Sequence, residues 1–251
     1  MDLRKVLWMS PAGLVALLAL RTRAERDGLL ELTFLAPADQ HVLRYLIHIG
    51  FVQELVQRGV EVVEANPSGA DLSEIRACLP VTYVTGEFEM ETAANALLDT
   101  LDAIGAPPHV RHATYLVMTE LTNNAWQHGS PCYVVAQTHS GQTSGTPGLH
   151  LAIADFGDGF AASLRDFKPS NERAAILMAF EERVTSTGDR NRGLGLTHTL
   201  DAVDGYPDSR LSVVSGNVMV VREKREFEAY TGPDCGGVFV AAYFPFTPAE
   251  V

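Results

Sequence analysis

The sequence predicts an α/β protein, a two-layer sandwich with helices on one face of an antiparallel-rich sheet and a small strand–helix–strand–helix segment in front. Three observations carry this. Glu87–Ile104 and Pro108–His128 place apolar residues at helical spacing. Cys132–Thr138, Leu149–Ala154, Leu211–Ser215, Val218–Arg222 and Val238–Phe244 are apolar runs bounded by turn residues, which read as strands. Ser215-Gly-Asn217 is short enough to be a hairpin turn, which joins antiparallel neighbours. Helices with one apolar stripe then cover the sheet.

In chain order, Val6–Met9 is a short strand candidate, and Ser10-Pro-Ala-Gly13 supplies the cap and first-turn proline of a helix over Leu14–Glu25, ended by Asp27-Gly28. Glu31–Leu35 reads as a strand and Ala38–Leu55 as a second helix, which completes a βαβα unit over residues 1–60. Asn66-Pro-Ser-Gly69 and Pro80 mark residues 61–80 as a linker. A strand at Val81–Val84 opens the second domain, 81–251, whose first helix ends at Gly105 and whose second starts at Pro107-Pro108. Phe160–Arg192 is a long stretch too polar and helix-broken for core.

Composition sets bounds. With 251 residues, 46% of them hydrophobic, the chain can bury a substantial core. Its net charge of −12 argues against a nucleic-acid-binding surface. Cys78, Cys132 and Cys235 form no C-x-x-C pair and leave one thiol over in any disulfide scheme, which fits a reducing cytoplasm. Arg4-Lys5 and the apolar run after it mimic a signal peptide. Ser10-Pro11 interrupts that run, no Ala-x-Ala site precedes Arg21, and the run is too short to span a bilayer, so no membrane partner is expected.

The chemistry-bearing stretch is Thr119-Glu-Leu-Thr-Asn-Asn-Ala-Trp-Gln-His-Gly129. Steps of four return to nearly the same side of a helix, so Glu120, Asn124 and His128 share one face. Alone, that row reads equally well as a solvated polar stripe. Two later stretches favour a site. Asp155-Phe-Gly-Asp-Gly159 leaves the strand at Leu149–Ala154 with an acid and two glycines, and Arg192-Gly-Leu-Gly-Leu196 precedes a helix, where backbone N–H groups can approach an anion.

A Glu-x-x-x-Asn-Ala helix, an Asp-x-Gly-x-Gly turn and a Gly-x-Gly-Leu turn, in this order, resemble the GHKL ATPase superfamily, which includes gyrase-type ATPases and histidine kinases. The Asn-Ala-x-x-His-Gly ending is most similar to the anti-sigma-factor serine kinase branch, over residues 80–245. The resemblance implies a Bergerat-type fold that binds ATP and Mg²⁺ under a lid at about 160–192. Asp155 would accept the amine of adenine, with Gly157 and Gly159 letting the ring pack on backbone. Asn124 would ligate Mg²⁺, and Glu120 would act as general base. The backbone of Gly193, Leu194, Gly195 and Leu196, with Arg192, would receive the phosphates. His128 and Asn123 are weaker candidates, at the helix end or behind the ligands. The family's Gly-Thr before its last strand is replaced by Gly236-Gly237, so one hydrogen bond near adenine is lost or supplied elsewhere.

Asp2–Leu14 also resembles the centre of STAS domains, the anti-sigma-factor antagonists. Gly13 and Leu14 match, but Ser10 stands at the family's Asp and Ala12 at its phosphoacceptor serine, and the family's first two strands are not expected. An ordinary βαβα appendage is the other reading. The function implied is an ATP-binding regulator that switches partners by phosphorylating a serine or threonine of a regulatory protein, an anti-sigma antagonist or sigma-factor-like protein, or a slow ATPase. The alternatives are a non-catalytic ATP-sensing scaffold and a histidine-kinase-like module. A homodimer is left open.

Overall fold

The computed structural model describes residues 1–28, 32–63, 75–139, 146–181 and 195–249. Ser10 starts the first helix, α1 (Pro11–Arg26): its side chain accepts the Gly13 N–H at 3.1 Å, and Pro11 takes the position where no intrahelical N–H bond is needed. No strand forms at Val6–Met9. Leu7 and Trp8 are exposed, and parallel pairing falls earlier, where Leu3 N–H donates to Leu35 O and Leu35 N–H to Met1 O. A turn closed by Val6 N–H on Leu3 O then carries the chain away from that partner.

β1 (Thr33–Leu35) leads to α2 (Gln40–His48), α3 (Phe51–Gln57) and β2 (Glu61–Val63), which pairs parallel with β1. The single helix expected over Ala38–Leu55 is two. Apolar periodicity runs through the break, but Gly50 takes φ +84°, which ends one helix and turns the next. β2 lies inside the expected linker, and β3 (Ile75–Val84) starts at Ile75 rather than Val81.

Next come α4 (Glu87–Ala103), α5 (Pro108–Gln127), β4 (Cys132–His139) and β5 (Gly148–Asp155). After them lie α6 (Gly159–Ser163), a 3₁₀ turn at Arg165–Phe167, α7 (Glu172–Ala179) and α8 (Gly195–Asp204). β6 (Arg210–Ser215), β7 (Val218–Glu223), β8 (Glu226–Thr231) and β9 (Val238–Pro245) complete one seven-stranded sheet of order β3-β4-β5-β9-β6-β7-β8. Every neighbouring pair in it is antiparallel. The protein is therefore a mixed α/β chain built on one large antiparallel sheet.

Helices cover both faces of that sheet, not one. Cys132, Val134, Ala136, Leu151, Ile153, Val240 and Ala242 face a core shared with α4, α5, α7 and α8. The alternate residues Tyr133, Val135, Ala152, Ala154 and Phe239 face a second core with Leu14 and Leu18 of α1 and Leu43, Leu46 and Phe51 of α2 and α3. Period-two alternation makes both sides of β4 and β5 apolar, so neither strand shows a polar face in the sequence. Polar ties reinforce the second core. Thr22 Oγ1 and Tyr133 Oη are 3.0 Å apart, and Arg58, paired with Glu54 at 2.8 Å, stacks on Tyr83 at 3.8 Å.

The stretch after Gly159 is also corrected. Leu164, Ile176, Ala179 and Phe180 are buried in the α5-side core, so its first part packs on the sheet. The rest of the expected lid, from residue 182 on, lies outside the described residues, as do Arg192, Gly193 and Leu194 of the expected phosphate turn. Among the described residues no helix is long and apolar enough to cross a membrane, and no disulfide joins Cys78, Cys132 or Cys235.

Candidate functional site at one end of the sheet

Val117, Leu121 and Ala125 bury one side of α5, which leaves Glu120 and Asn124 half-buried beside it. The helix stops where the sequence says it should: His128 is its exposed C-cap residue, its N–H on Asn124 O, and Gly129 turns the chain at φ +74°. The chain then enters β4 at Cys132, whose register partner is Asp155. The end of α5 and the Asp155–Gly159 turn thus lie at the same end of the sheet, with Ser130 against Gly157.

α8 runs antiparallel along α5. His198 Nδ1 is 3.7 Å from Glu120 Oε1, while Tyr206, past the other end of α8, stacks on His109 with ring centroids 4.7 Å apart. This orientation directs the Gly195 end of α8 toward the Asn124 end of α5. Leu196 is buried in the α5-side core, so its side chain anchors α8 and only its backbone is available to an anion.

Asp155 is the centre of the turn. Its Oδ1 accepts the N–H groups of Gly157 at 2.8 Å and Val238 at 3.1 Å, and no hydrogen bond among the described residues engages Oδ2. Desolvation pushes its pKa up to about 6; the two backbone bonds oppose that shift and the nearby Asp158 charge adds to it. Burial, with Asp155 beside it, also holds the Cys132 thiol protonated. Gly157 O accepts Gly237 N–H at 2.9 Å and Arg23 Nη1 at 3.3 Å. Gly237 has φ +62°, and a Cβ there would overlap the Asp155 carbonyl group. Any side chain at this position would meet that overlap.

Gly159 is buried and followed by a latch. Phe160 N–H donates to Ser215 Oγ at 2.9 Å, and Ser215 donates to the Glu172 carboxylate. Arg23, His198, Ser215 and Glu172 are not among the residues that the sequence singles out. They come from four separate elements and carry no motif, and only the Gly-Leu-Gly-Leu196 turn hints that α8 brings a polar residue here. Among the described residues no three His, Cys, Asp or Glu side chains gather to hold a metal ion. A metal here would rest on the Asn124 amide oxygen, ligand phosphates and water. Compared with protein-family models, with curated proteins and with solved structures, the chain matches none.

Chemically, the site offers one desolvated carboxylate oxygen for a hydrogen-bond donor, a helix N-terminus for an anion, and a second carboxylate with an imidazole beside it.

Proposed function

We propose that this chain is an ATP-binding regulatory protein of the GHKL type, acting like the anti-sigma-factor serine/threonine kinases by phosphorylating a partner regulator. The observation that carries the reading is Asp155. One oxygen is committed to two backbone amides, and the other is left at the sheet end toward which α5 and the N-terminus of α8 converge. A desolvated acceptor of this kind suits the exocyclic amine of adenine and repels the carbonyl of guanine. In this reading the sheet with its α5-side layer is a Bergerat-type fold, and residues 1–60 are a STAS-like segment.

Bound Mg²⁺ would neutralise phosphate charge, and Asn124 is the residue that fits it, as a single neutral oxygen ligand. Glu120, one turn before Asn124, accepts the proton of an attacking serine or threonine hydroxyl. His198, on the facing helix, lies 3.7 Å from the Glu120 carboxylate. The backbone at the start of α8 receives the phosphates. Ala12 has no hydroxyl, so the amino-terminal segment is not the acceptor at the STAS position and the acceptor is a separate protein.

Single-turnover transfer from labelled ATP to the products of neighbouring genes tests this. Transfer to a serine or threonine by the wild type, with ATP still bound but transfer reduced in Glu120→Ala, supports the kinase. ATP binding with no transfer to any partner replaces it with the scaffold.

A further inference from the structure

The turn that carries Asp155 is held from the opposite side of the sheet. Arg23 lies in the last turns of α1, in the layer packed on the Tyr133 face, yet its guanidinium reaches the Gly157 carbonyl oxygen at 3.3 Å. The same guanidinium fills the space beside Gly236: a Cβ built there would fall on it. Its other contact is loose, with Nε 3.9 Å from Asp27 Oδ2. Gly157 has no Cβ and samples backbone conformations freely unless both of its peptide groups are tied. Its N–H is bound to Asp155 Oδ1, and its carbonyl to Arg23 and Gly237 N–H.

We propose that Arg23 is a positioning residue for adenine, through which the amino-terminal layer sets the nucleotide affinity of the site; this rests on the adenine reading of Asp155. With Arg23 in place, Gly157 is fixed and Asp155 presents Oδ2 in one orientation. When α1 shifts or Arg23 is removed, Gly157 O keeps only the Gly237 N–H, so the turn loosens and the acceptor for adenine is less pre-organised. Any partner that grips α1 therefore changes ATP affinity without touching ATP.

Calorimetric binding of ATP and of adenosine tests this in the full chain, for wild type, Arg23→Met, Arg23→Lys, Gly236→Ala and the Arg23→Met/Gly236→Ala pair, with the melting temperature of each free protein. Arg23→Met is expected to weaken ATP and adenosine by the same factor, about tenfold, the worth of one charge-assisted bond. Arg23→Lys restores part of the loss. Gly236→Ala, which displaces the guanidinium and also strains a backbone at φ +56°, gives at least as large a loss, and the pair costs less than the sum of the two because the contact with Arg23 is lost only once. A lower melting temperature with unchanged affinity shows a merely structural arginine and overturns the proposal. So does a loss confined to ATP, which would mean contact with phosphates. Wild-type binding that Asp155→Ala abolishes and Arg23→Met leaves intact sinks this inference alone, whereas no adenine binding by the wild type sinks it together with the adenine reading.

Discussion

His198 Nδ1 lies 3.7 Å from Oε1 of Glu120, across the antiparallel pair formed by α8 and α5. At that separation the imidazole is near the half-buried carboxylate without a hydrogen bond to it, and attracts it when protonated. If Glu120 is the general base, Glu120→Ala lowers single-turnover phosphotransfer by about 10²–10⁴ while ATP stays bound. His198→Gln, which keeps a hydrogen-bonding group, costs less than Glu120→Ala. Asn124→Ala weakens the Mg²⁺-dependent part of ATP binding instead. Transfer assays and calorimetry on the three variants separate these roles.

If adenine binds at Asp155, ATP affinity depends on pH through this carboxylate. Its pKa in the free protein is raised to about 6, and accepting an amine N–H favours the ionised carboxylate. Affinity is therefore full well above pH 6 and weakens as pH falls through that value, by about tenfold per unit below it. Asp155→Asn binds more weakly and removes this dependence. For folding the sign is opposite: a carboxyl raised from 3.8 to about 6 favours the folded state as pH falls between those values. Titrations of ATP at pH 7.5, 6.5 and 5.5 read the first effect.

A second pH effect comes from the far end of the sheet. His150 Nε2 is 2.8 Å from His139 Nε2, with Tyr243 beside both rings and Arg210 on β6, the strand after β9 in the sheet. Burial, then the charges of His139 and Arg210, lower the His150 pKa from 6.5 to about 4. The unfolded chain binds the extra proton first, so this stabilisation is complete above pH 6.5 and is lost as pH falls toward 4. Between pH 7 and pH 5 the loss is about 1–2 kcal/mol. Urea unfolding at both values should show a smaller difference in His150→Gln than in the wild type.

The amino-terminal helices supply one wall of the core, so the chain should unfold as one unit. Leu18 is fully buried between α1 and the sheet, and Leu18→Ala is expected to cost about 2–5 kcal/mol. One thermal transition, moved as a whole by this substitution, is the expected outcome. Two transitions with only one of them shifted would mean that the α1 layer is an independent appendage.

Legibility of the sequence follows local physics. α5 is readable because its apolar spacing, opening prolines and closing glycine agree, and β4, β5, β6, β7 and β9 because each is an apolar run between turn residues. β8 is not, since its residues are mostly exposed and include Glu226 and Glu228, with no buried face to leave an alternation. Val6–Met9 misleads because an apolar run normally signals burial, yet Leu7 and Trp8 face outward. Asp155, Glu120 and Asn124 stand out through their motifs. The layer on the second face, and with it Arg23 at Gly157, depends on contacts between residues far apart in the chain, which no local pattern records.

Whether the turn at Asp155 binds adenine decides the proposed function, and calorimetry of Mg²⁺–ATP binding to wild type and Asp155→Ala puts that question to the protein itself. The expected outcome is micromolar or weaker ATP binding by the wild type, weaker binding of GTP, and loss of ATP binding in Asp155→Ala with the fold retained, because the amine of adenine no longer meets a buried acceptor. Equal ATP affinity in the two proteins would mean that adenine does not bind at Asp155.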